Sequence, residues 1–436
     1  MNLKKLYNLY QAAEHGVTTD TRKCGPGMLF FAIKGDNFDG NTFAKEALKK
    51  GCIASVVDDV EIGKSEGMVY VDNVLATIQK LATMHRRNFN IPVLGLTGSN
   101  GKTTTKELIK TVLSNKYNVH ATEGNLNNHL GVPLTLLSMP VDCDFLVVEM
   151  GANHMGEIAE LANIAEPNFG IITNIGLAHL EGFGSAEGVK KGKKELFDYL
   201  RSTKNSDGSH KMSFVHGGHP VLLEVSEGME RTIFGTDQEK PRVVFNGEGM
   251  KRQFMWDEDG YKSNPAPIQL EGDYNLDNIA AAIAVGRFFG VKRADVTASL
   301  SNYVPTNNRS QTIKTEFNEI LLDAYNANPS SMEEALKSFA LHKEHPRLAI
   351  LGDMRELGTH SMHSHSRIVE LCHELALNAI FVGEAFGEIS QDKNTGRFFS
   401  SIEELISEIE GGKIKGENIL LKGSRGMAME RLLPLL

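Results

Sequence analysis

Cysteine is scarce in this sequence, and the sequence features of disulfide-rich, membrane and secreted proteins are absent as well. Four cysteines (Cys24, Cys52, Cys143 and Cys372) are scattered over 436 residues, and none forms a C-x-x-C pair. This spacing supports neither a zinc site nor a disulfide framework, and it favours reduced thiols in the cytosol. No apolar run approaches the roughly 20 residues of a membrane span, and the first residues lack the apolar core of a secretion signal. We therefore expect a cytoplasmic protein without a membrane span.

Positive charge is also in deficit. The chain has 46 Lys and Arg against 55 Asp and Glu, which gives a net charge of -9. A nucleic-acid-binding protein needs a basic face whose Lys and Arg side chains displace counterions from the phosphates, and no such face is evident. We therefore do not expect nucleic acid as the main partner. The hydrophobic share of 41% is ordinary for a globular protein, and the length predicts two or three domains.

Strand and helix patterns divide the chain into three α/β blocks. The first block, residues 1–84, mixes short strands with helices, and the second, residues 85–306, alternates buried strands with helices. Within the second block we interpret residues 212–271, where Gly and Pro break short β-like pieces, as a β-meander insert. The third block, residues 307–436, predicts a doubly wound Rossmann-like domain without a dinucleotide glycine fingerprint. The predicted strands are residues 28–33, 53–57, 68–71, 91–94, 144–149, 169–174, 320–323, 347–351, 379–382 and 418–421, and the predicted helices are residues 42–50, 76–88, 106–113, 275–289, 331–342, 363–377 and 402–409.

The most informative stretch is Gly95–Thr105, which lies between a strand pattern and a helix pattern. Glycines let several backbone N–H groups converge on one anion, and the helix N-terminus adds its positive dipole end. Lys102 can reach the β- and γ-phosphates of a nucleotide, and the Thr103 hydroxyl can ligate Mg²⁺. The strict template G-x-x-x-x-G-K-[ST] is not met, because Leu96 stands at its first glycine. A chance glycine turn is the alternative, but the lysine, the threonine and the strand–helix context together favour a phosphate cradle.

Polar side chains follow the neighbouring strands of the second block. Glu149 ends one strand, Asn174 ends the next, and His179 lies just beyond it. Ligands of open α/β sheets bind at the carboxyl ends of the strands, and a carboxylate beside a triphosphate suits Mg²⁺. A loop histidine taken alone is more often solvated or hydrogen-bonded than a ligand, but its place beyond the adjacent strand favours a role at the site.

A cluster of lysines begins one predicted helix of the second block. Lys190, Lys191, Lys193 and Lys194 crowd around Gly192. A solvated basic face is the ordinary explanation for such a cluster. Next to a phosphate site, one of these lysines can instead neutralise charge or take part in the chemistry.

Two aspartates and one arginine stand out in the third block. Asp323 and Asp353 each follow a predicted strand. Such aspartates either cap the next helix or hold ribose hydroxyls or a metal, and the spacing alone does not separate these roles. Arg309 begins the block and can contact phosphate through charge-assisted hydrogen bonds.

Taken together, these motifs resemble the Mur ligase family over nearly the whole chain. Residues 20–22 and 27–40 are similar to the family's uridine-nucleotide-binding domain, and Thr97–Thr103 matches its phosphate loop. Residues 122–128 match a substrate-side segment, and residues 325–329 match the members that add D-Ala-D-Ala. Three positions depart from the usual pattern: His129 replaces an acidic residue, Tyr274 a histidine and Lys194 a small residue.

The resemblance implies a set of site residues. Nucleotide contacts are expected from Thr97, Gly98, Ser99, Asn100, Gly101, Lys102, Thr103, Asn278, Arg309 and Asp323. Catalytic roles are expected for Lys102, Glu149, His179 and Lys193, of which Lys193 falls on the family's carbamylated lysine, and Mg²⁺ ligands are expected at Thr103, Glu149 and His179. Substrate contacts are expected from Thr21, Arg22, Lys34, Asp39, Thr122, Asn125, Asn127, Asn128, Asn326 and Asn328, with Arg425 a further candidate for D-Ala-D-Ala.

The activity that the resemblance implies is ATP-driven amide formation. D-Ala-D-Ala would be joined to UDP-N-acetylmuramoyl-tripeptide through an acyl phosphate, in the synthesis of peptidoglycan precursors, by a monomer that uses ATP and Mg²⁺. Folylpolyglutamate synthase, a related ligase, is disfavoured because it gives no reason for residues 20–40 or 325–329. A switch or motor that only hydrolyses ATP is the other alternative, and the chain lacks the basic patch or coiled-coil heptads that would suggest one.

Overall fold

The computed structural model describes residues 2–236, 239–246, 252–306, 308–342, 346–389, 396–410 and 414–436. These residues form three α/β units in chain order, each built on its own main sheet, which confirms the predicted fold class. Within the described residues, no helix combines the length and the apolar character needed to cross a bilayer.

The first unit is a four-stranded parallel sheet with strand order β1-β2-β5-β6. Asn73 caps the N-terminus of the unit's last helix, α3, because its side chain accepts a hydrogen bond from the N–H of Ala76 at 2.7 Å. Helix α3 packs on the second unit, where Thr83 donates to the carbonyl oxygen of Ile164 at 3.1 Å. The elements are α1 Leu3–Gln11, β1 Val17–Thr18, β2 Leu29–Phe31, β3 Lys34–Gly35, β4 Phe38–Asp39, α2 Ala44–Lys49, β5 Ala54–Val57, β6 Met68–Tyr70 and α3 Val74–Arg86.

The second unit has a six-stranded parallel sheet with strand order β12-β11-β10-β7-β9-β8. Strand β7 is buried along its whole length because helices cover both faces of the sheet. Its side chains alternate accordingly: Leu94 and Leu96 pack with α4 and α10, whereas Val93 packs with the opposite core. The elements are β7 Val93–Thr97, α4 Lys102–Leu113, β8 Val119–Ala121, α5 Gly131–Leu137, β9 Phe145–Glu149, α6 Glu157–Ala165, β10 Phe169–Ile172, α7 Leu180–Phe183, α8 Ala186–Ser202, β11 Met212–His216, α9 Pro220–Val225, β12 Glu230–Phe234, β13 Arg242–Asn246, β14 Gln253–Glu258, β15 Tyr261–Lys262, β16 Ala266–Pro267, α10 Asn275–Phe288 and α11 Arg293–Asn302.

The predicted β-meander over residues 212–271 is wrong in its first part. Strands β11 and β12 are parallel members of the main sheet, and only β13–β16 form a separate antiparallel sheet. The Gly and Pro residues that suggested a broken meander have another use here, because Pro220 is the first residue of helix α9. Residues 237–238 and 247–251 of the predicted insert lie outside the described residues.

The third unit has a six-stranded sheet with strand order β17-β18-β22-β19-β20-β21, in which only β17 runs antiparallel to its neighbour. The four predicted strands are confirmed as β18, β19, β20 and β22, and the edge strands β17 and β21 were missed. Its elements are β17 Gln311–Lys314, β18 Glu319–Asp323, α12 Pro329–Phe339, β19 Arg347–Gly352, α13 Ser361–Glu374, β20 Asn378–Val382, α14 Glu384–Ile389, β21 Arg397–Phe399, α15 Ile402–Glu410 and β22 Asn418–Lys422. The predicted boundaries at 84/85 and 306/307 remain predictions, and residue 307 is outside the described residues.

Candidate active site

A cavity of about 490 Å³ lies between the second and third units. Its wall joins the phosphate loop, the end of strand β9, the start of helix α10 and the end of strand β18. The predicted site residues that line it are Ser99, Asn100, Gly101, Lys102, Thr103, Asn125, Asn127, Asn128, Glu149, His179, Asn278, Arg309, Asp323, Asn326 and Asn328. The fold therefore brings residues from seven separate segments of the chain to one space.

The other predicted site residues lie elsewhere. Four of them, Thr97, Gly98, Thr122 and Lys193, are buried behind the cavity wall. The predicted contacts Thr21, Arg22, Lys34 and Asp39 lie in the first unit and do not line the cavity, and Arg425 is also outside its wall.

Glycine is required at two positions of the phosphate loop. Gly98 and Gly101 have φ values of 147° and 75°, a region that other residues rarely adopt. A Cβ atom at Gly98 would lie 2.0 Å from Thr173 Oγ1, and one at Gly101 would lie 2.5 Å from Asn278 Oδ1. The loop therefore lies directly against β10 and α10, with no room for a side chain.

Hydrogen bonds from the end of β10 hold the same loop. The N–H of Ser99 donates to the carbonyl oxygen of Asn174, and the N–H of Asn100 donates to its side-chain oxygen, both at 3.0 Å. Thr173 donates to the carbonyl oxygen of Asn100 at 2.6 Å. Asn174, which the sequence placed at a strand end, thus shapes the loop from behind.

The Lys102 ammonium lies folded over its own loop. Its Nζ atom donates to the carbonyl oxygens of Gly98 at 2.7 Å and Ser99 at 3.0 Å. Burial lowers the pKa of Lys102 to about 8; the negative charge of Glu149 opposes this shift, and the positive charge of Arg309 adds to it. An anion in the cavity would restore the ordinary preference for the charged form.

Glu149 ends β9 with a buried carboxylate that is only partly satisfied. Its Oε1 atom accepts hydrogen bonds from Asn127 Nδ2 at 2.8 Å and Thr103 Oγ1 at 3.2 Å. Its Oε2 atom has no hydrogen-bond partner among the described residues, and Lys106 Nζ is 3.9 Å away. A buried anionic oxygen beside a hydroxyl fits a hard divalent cation, which prefers oxygen ligands.

Lys106 is a buried lysine beside Glu149 that the sequence reasoning missed, although it does not line the cavity. The side chain is fully buried, and Nζ donates to the carbonyl oxygen of Thr122 at 2.5 Å and contacts Glu107 Oε1 at 2.9 Å. Thr122 in turn accepts the N–H of Glu149 through its hydroxyl at 3.0 Å. The available signal was spacing, because Lys106 lies four residues after Lys102 on the same helix face.

Lys193 is buried, and the solvated-face explanation of the lysine cluster does not hold for it. Its Nζ atom donates to the carbonyl oxygen of Ala152 at 3.2 Å and lies 5.0 Å from the centroid of the Phe183 ring. Within the described part of the chain no carboxylate forms an ion pair with it. Burial lowers the pKa of Lys193 to about 7, and Lys102 adds to the effect.

The other lysines of that cluster keep the solvent-facing role. Lys190 pairs with Glu224 at 2.6 Å, Lys194 pairs with Asp198, and Lys191 is exposed. Helix α8 therefore has one buried lysine toward the cavity and a charged outer face.

The two strand-end aspartates of the third unit have different roles. Asp353 accepts hydrogen bonds from the N–H groups of Ala385 at 3.0 Å and Phe386 at 3.1 Å, so it caps helix α14. Asp323 caps no helix; it accepts the Ser310 N–H at 3.2 Å and the Lys422 ammonium at 2.5 Å, and it faces the cavity.

Arg309 stacks on an aromatic ring at the cavity wall. Its guanidinium carbon lies 3.6 Å from the centroid of the Tyr325 ring, and its Nε atom has no partner among the described residues. The stacking fixes the plane of the guanidinium and leaves donors for a ligand anion.

The charged residues predicted in the first unit form exposed local pairs. Arg22 pairs with Asp20 at 2.7 Å, and Lys34 pairs with Asp39 at 3.0 Å. Asp39 also accepts the N–H of Asn41 at 2.9 Å. Exposed ion pairs contribute little stability, so both cations are available to a negatively charged ligand.

Family models match three consecutive parts of the chain. Residues 14–94 match the model described as "Mur ligase family, catalytic domain", residues 96–286 match "Mur ligase middle domain", and residues 308–425 match "Mur ligase, glutamate ligase domain".

Individual proteins are similar over almost the full length. A UDP-N-acetylmuramoyl-tripeptide--D-alanyl-D-alanine ligase from Bacillus subtilis (strain 168) is 33% identical, covering 97% of this chain and 93% of that relative. A crystal structure of MurF from Acinetobacter baumannii has a TM-score of 0.86 at 26% identity, covering 99% of this chain and 98% of that chain. The MurF ligase from Thermotoga maritima in complex with ADP has a TM-score of 0.83 at 26% identity, covering 96% of each chain.

Proposed function

The chain belongs to the Mur ligase family, and we propose that it joins D-Ala-D-Ala to UDP-N-acetylmuramoyl-tripeptide in an ATP-driven reaction that forms an amide bond. The tripeptide's terminal carboxylate attacks the γ-phosphate of ATP and becomes an acyl phosphate. The amine of D-Ala-D-Ala then displaces phosphate through a tetrahedral intermediate. The products are ADP, phosphate and the UDP-linked pentapeptide.

The observation that carries this proposal is the composition of one cavity. The phosphate loop, the Glu149 carboxylate and the asparagines Asn125, Asn127 and Asn128 line it from the second unit, and Arg309 lines it from the third. A site that only hydrolyses a nucleotide needs no such polar wall on the far side of the phosphates. A ligase needs it, because the acceptor carboxylate must reach the γ-phosphate.

The phosphate loop and its lysine bind the nucleotide in this scheme. Backbone N–H groups at the start of α4 point to the β- and γ-phosphates, and Lys102 moves from the loop carbonyls to the phosphate oxygens. Arg309 adds positive charge from the third unit, while Asp323 holds a ribose hydroxyl and Asn278 lies on the adenine side. Two anions must approach each other in this reaction, so these cations lower its barrier.

Glu149, Thr103 and His179 are the residues that would hold Mg²⁺. The Glu149 Oε2 atom, which has no hydrogen-bond partner among the described residues, supports this assignment. When bound, Mg²⁺ supplies positive charge that offsets the phosphate oxygens during transfer. The Lys106 ammonium lies 3.9 Å from the same oxygen and adds positive charge beside the carboxylate.

Lys193 is suited to carbamylation. A buried amine with a pKa of about 7 is about half neutral at pH 7, and only the neutral amine attacks carbon dioxide. The product carries a negative charge at a position where no carboxylate of the described residues forms an ion pair with the lysine. Lys102 supplies the neighbouring positive charge.

The remaining predicted residues are proposed to contact the substrates. The uridine nucleotide would bind on the first unit near Thr21, Arg22, Lys34 and Asp39. D-Ala-D-Ala would bind on the third unit near Asn326 and Asn328, with Arg425 close to the Tyr325 ring at 5.7 Å.

We also propose that one chain is sufficient and that it acts in the cytoplasm. ATP and the UDP-linked substrate are both available in the cytoplasm.

The test is phosphate release from Mg-ATP with the UDP-muramoyl tripeptide, with and without D-Ala-D-Ala. The ligase requires both for steady release, and mass spectrometry then detects the pentapeptide. Release that is indifferent to both substrates would instead identify an ATP-hydrolysing switch, and activity with glutamate and a folate would identify the folylpolyglutamate reaction.

A further inference from the structure

His179 and Glu356 connect the second and third units. The Nδ1 atom of His179 forms a hydrogen bond with a carboxylate oxygen of Glu356. The backbone N–H of Glu181 also donates to the carbonyl oxygen of Glu356 at 3.4 Å. The loop that follows β10 and the loop that follows β19 therefore hold each other at the edge of the cavity, which both His179 and Glu356 line.

The backbone at both residues is in an unfavourable region. His179 has a φ of 53° and Glu356 has a φ of 62°, and neither is a glycine. Such conformations persist where the surrounding structure fixes them, and they are common at functional sites. His179 and Glu356 both have such a conformation and contact each other through their side chains. We therefore treat this contact as a functional feature of the site.

The chemistry of the contact determines which nitrogen carries the proton. An ionised carboxylate accepts hydrogen bonds and cannot donate, so Nδ1 of His179 must be the donor. In a neutral imidazole the lone pair then lies on Nε2, and within the described residues Nε2 makes no hydrogen bond. Metal-binding histidines commonly have their second nitrogen fixed by a carboxylate in this way.

We propose that Glu356 is a positioning residue that holds His179 in the metal-binding tautomer when the third unit is docked. This inference rests on the proposed function, because it gives the docked third unit a role in assembling the divalent-cation site that Glu149 and Thr103 begin. Metal binding and domain closure are then coupled: the cation is held by all three of its residues only when the third unit supplies Glu356.

Two variants separate positioning from simple packing. Glu356→Ala removes the acceptor, whereas Glu356→Gln keeps an oxygen that accepts from Nδ1–H but removes the negative charge. Glu374→Ala is the matched control, because it removes an exposed carboxylate of the same unit that pairs with Arg367 at 2.7 Å, outside the cavity wall.

The first readout is the tautomer of His179 in ¹⁵N-histidine NMR spectra of the full chain, assigned with His179→Gln. The second is Mn²⁺ affinity in the presence of ADP, measured by the loss of the free-ion EPR signal. Glu356→Ala should lose the Nδ1–H tautomer and bind Mn²⁺ about 10- to 100-fold more weakly. Glu356→Gln should retain the tautomer with an intermediate affinity, and Glu374→Ala should match the wild type.

An Nε2–H tautomer in the wild type, or unchanged Mn²⁺ affinity in Glu356→Ala, would overturn the proposal. Neither readout requires turnover. The wild-type chain's failure to make pentapeptide would therefore overturn the proposed function, while the spectra and the Mn²⁺ titration would still decide the role of Glu356.

Discussion

The side-chain amide of Asn328 donates a hydrogen bond to the side-chain oxygen of Asn100 at 2.7 Å, so the third unit touches the phosphate loop directly. The same Asn328 side chain accepts the N–H of Ser331 at 2.9 Å and begins helix α12. One residue thus fixes both the start of a helix and its distance from Asn100.

These two roles of Asn328 can be separated by substitution. Serine still caps a helix but is too short to reach Asn100, whereas alanine loses both contacts. Asn328→Ser should lower kcat/KM for ATP about tenfold, since it removes one directed contact at the site. Asn328→Ala should also lose about 1 kcal/mol of unfolding free energy. Equal stability losses in the two variants in urea unfolding would contradict the capping role.

Lys102 should be essential for catalysis and dispensable for folding. Lys102→Ala removes the flexible cation of the phosphate loop, so kcat should fall by a factor of about 100 to 1,000. Among the described residues, its Nζ atom donates hydrogen bonds only to carbonyl oxygens of its own loop, so thermal unfolding should be nearly unchanged. Lys110→Ala, on the same helix but outside the cavity wall, is the control. Retained ligase activity in Lys102→Ala with normal unfolding would remove the assigned role.

Lys193 should carry a carbamate, and the carbamate should form more readily as pH rises. The amine reacts with carbon dioxide and releases a proton, and only its neutral form reacts. With a pKa of about 7, the neutral fraction rises from about one-tenth at pH 6 to about nine-tenths at pH 8. Protein incubated with ¹³C-bicarbonate should show a carbamate carbon signal that Lys193→Arg lacks and that the exposed-site control Lys191→Arg retains. Absence of that signal from the wild type at pH 8 would contradict carbamylation.

Glu271 should make the fold less stable as pH rises. Burial raises its pKa to about 7; Arg252 opposes the shift, and Glu319 and Asp273 add to it. Its Oε2 atom lies 3.7 Å from His342 Nε2, where the second and third units meet. Between pH 4.5 and 7 the folded chain holds a proton that the unfolded chain has released, so stability falls through this window.

Glu271→Gln removes this titration. Relative to the wild type, its unfolding free energy should rise by about 1–3 kcal/mol between pH 5 and pH 8. Urea unfolding at the two pH values measures the difference, with the exposed Glu316→Gln as the control. A difference between wild type and Glu271→Gln that does not change with pH would show that the carboxyl does not titrate in this range.

Local patterns were enough to predict much of this molecule. The phosphate loop was recognisable because glycine, lysine and threonine must occur in a fixed order between a strand and a helix. Glu149 and Asp323 were recognisable because parallel strands direct their carboxyl ends to one edge of the sheet. Strands β11 and β12 were misread because the Gly and Pro residues of 212–271 were interpreted together as breaks in one meander, whereas Pro220 begins helix α9 between these two strands.

Contacts between distant segments could not be predicted in the same way. The pairs His179–Glu356 and Lys422–Asp323 join residues far apart in the chain. No periodicity relates such partners: the docking of the third unit on the second decides the first pair, and the pairing of β18 with β22 decides the second. The burial of Lys193 could not be predicted from the sequence either, because a cluster of four lysines is typical of a solvent-exposed helix face.

The most direct test of amide formation through an acyl phosphate is an isotope transfer. UDP-muramoyl tripeptide labelled with ¹⁸O in its terminal carboxylate is incubated with Mg-ATP, D-Ala-D-Ala and the protein. Mass spectrometry then measures the ¹⁸O content of the released phosphate and detects the pentapeptide. The account predicts one ¹⁸O atom in each released phosphate for each pentapeptide formed, because the carboxylate oxygen that attacks the γ-phosphate leaves with it. Unlabelled phosphate, or labelled phosphate without pentapeptide, would contradict it.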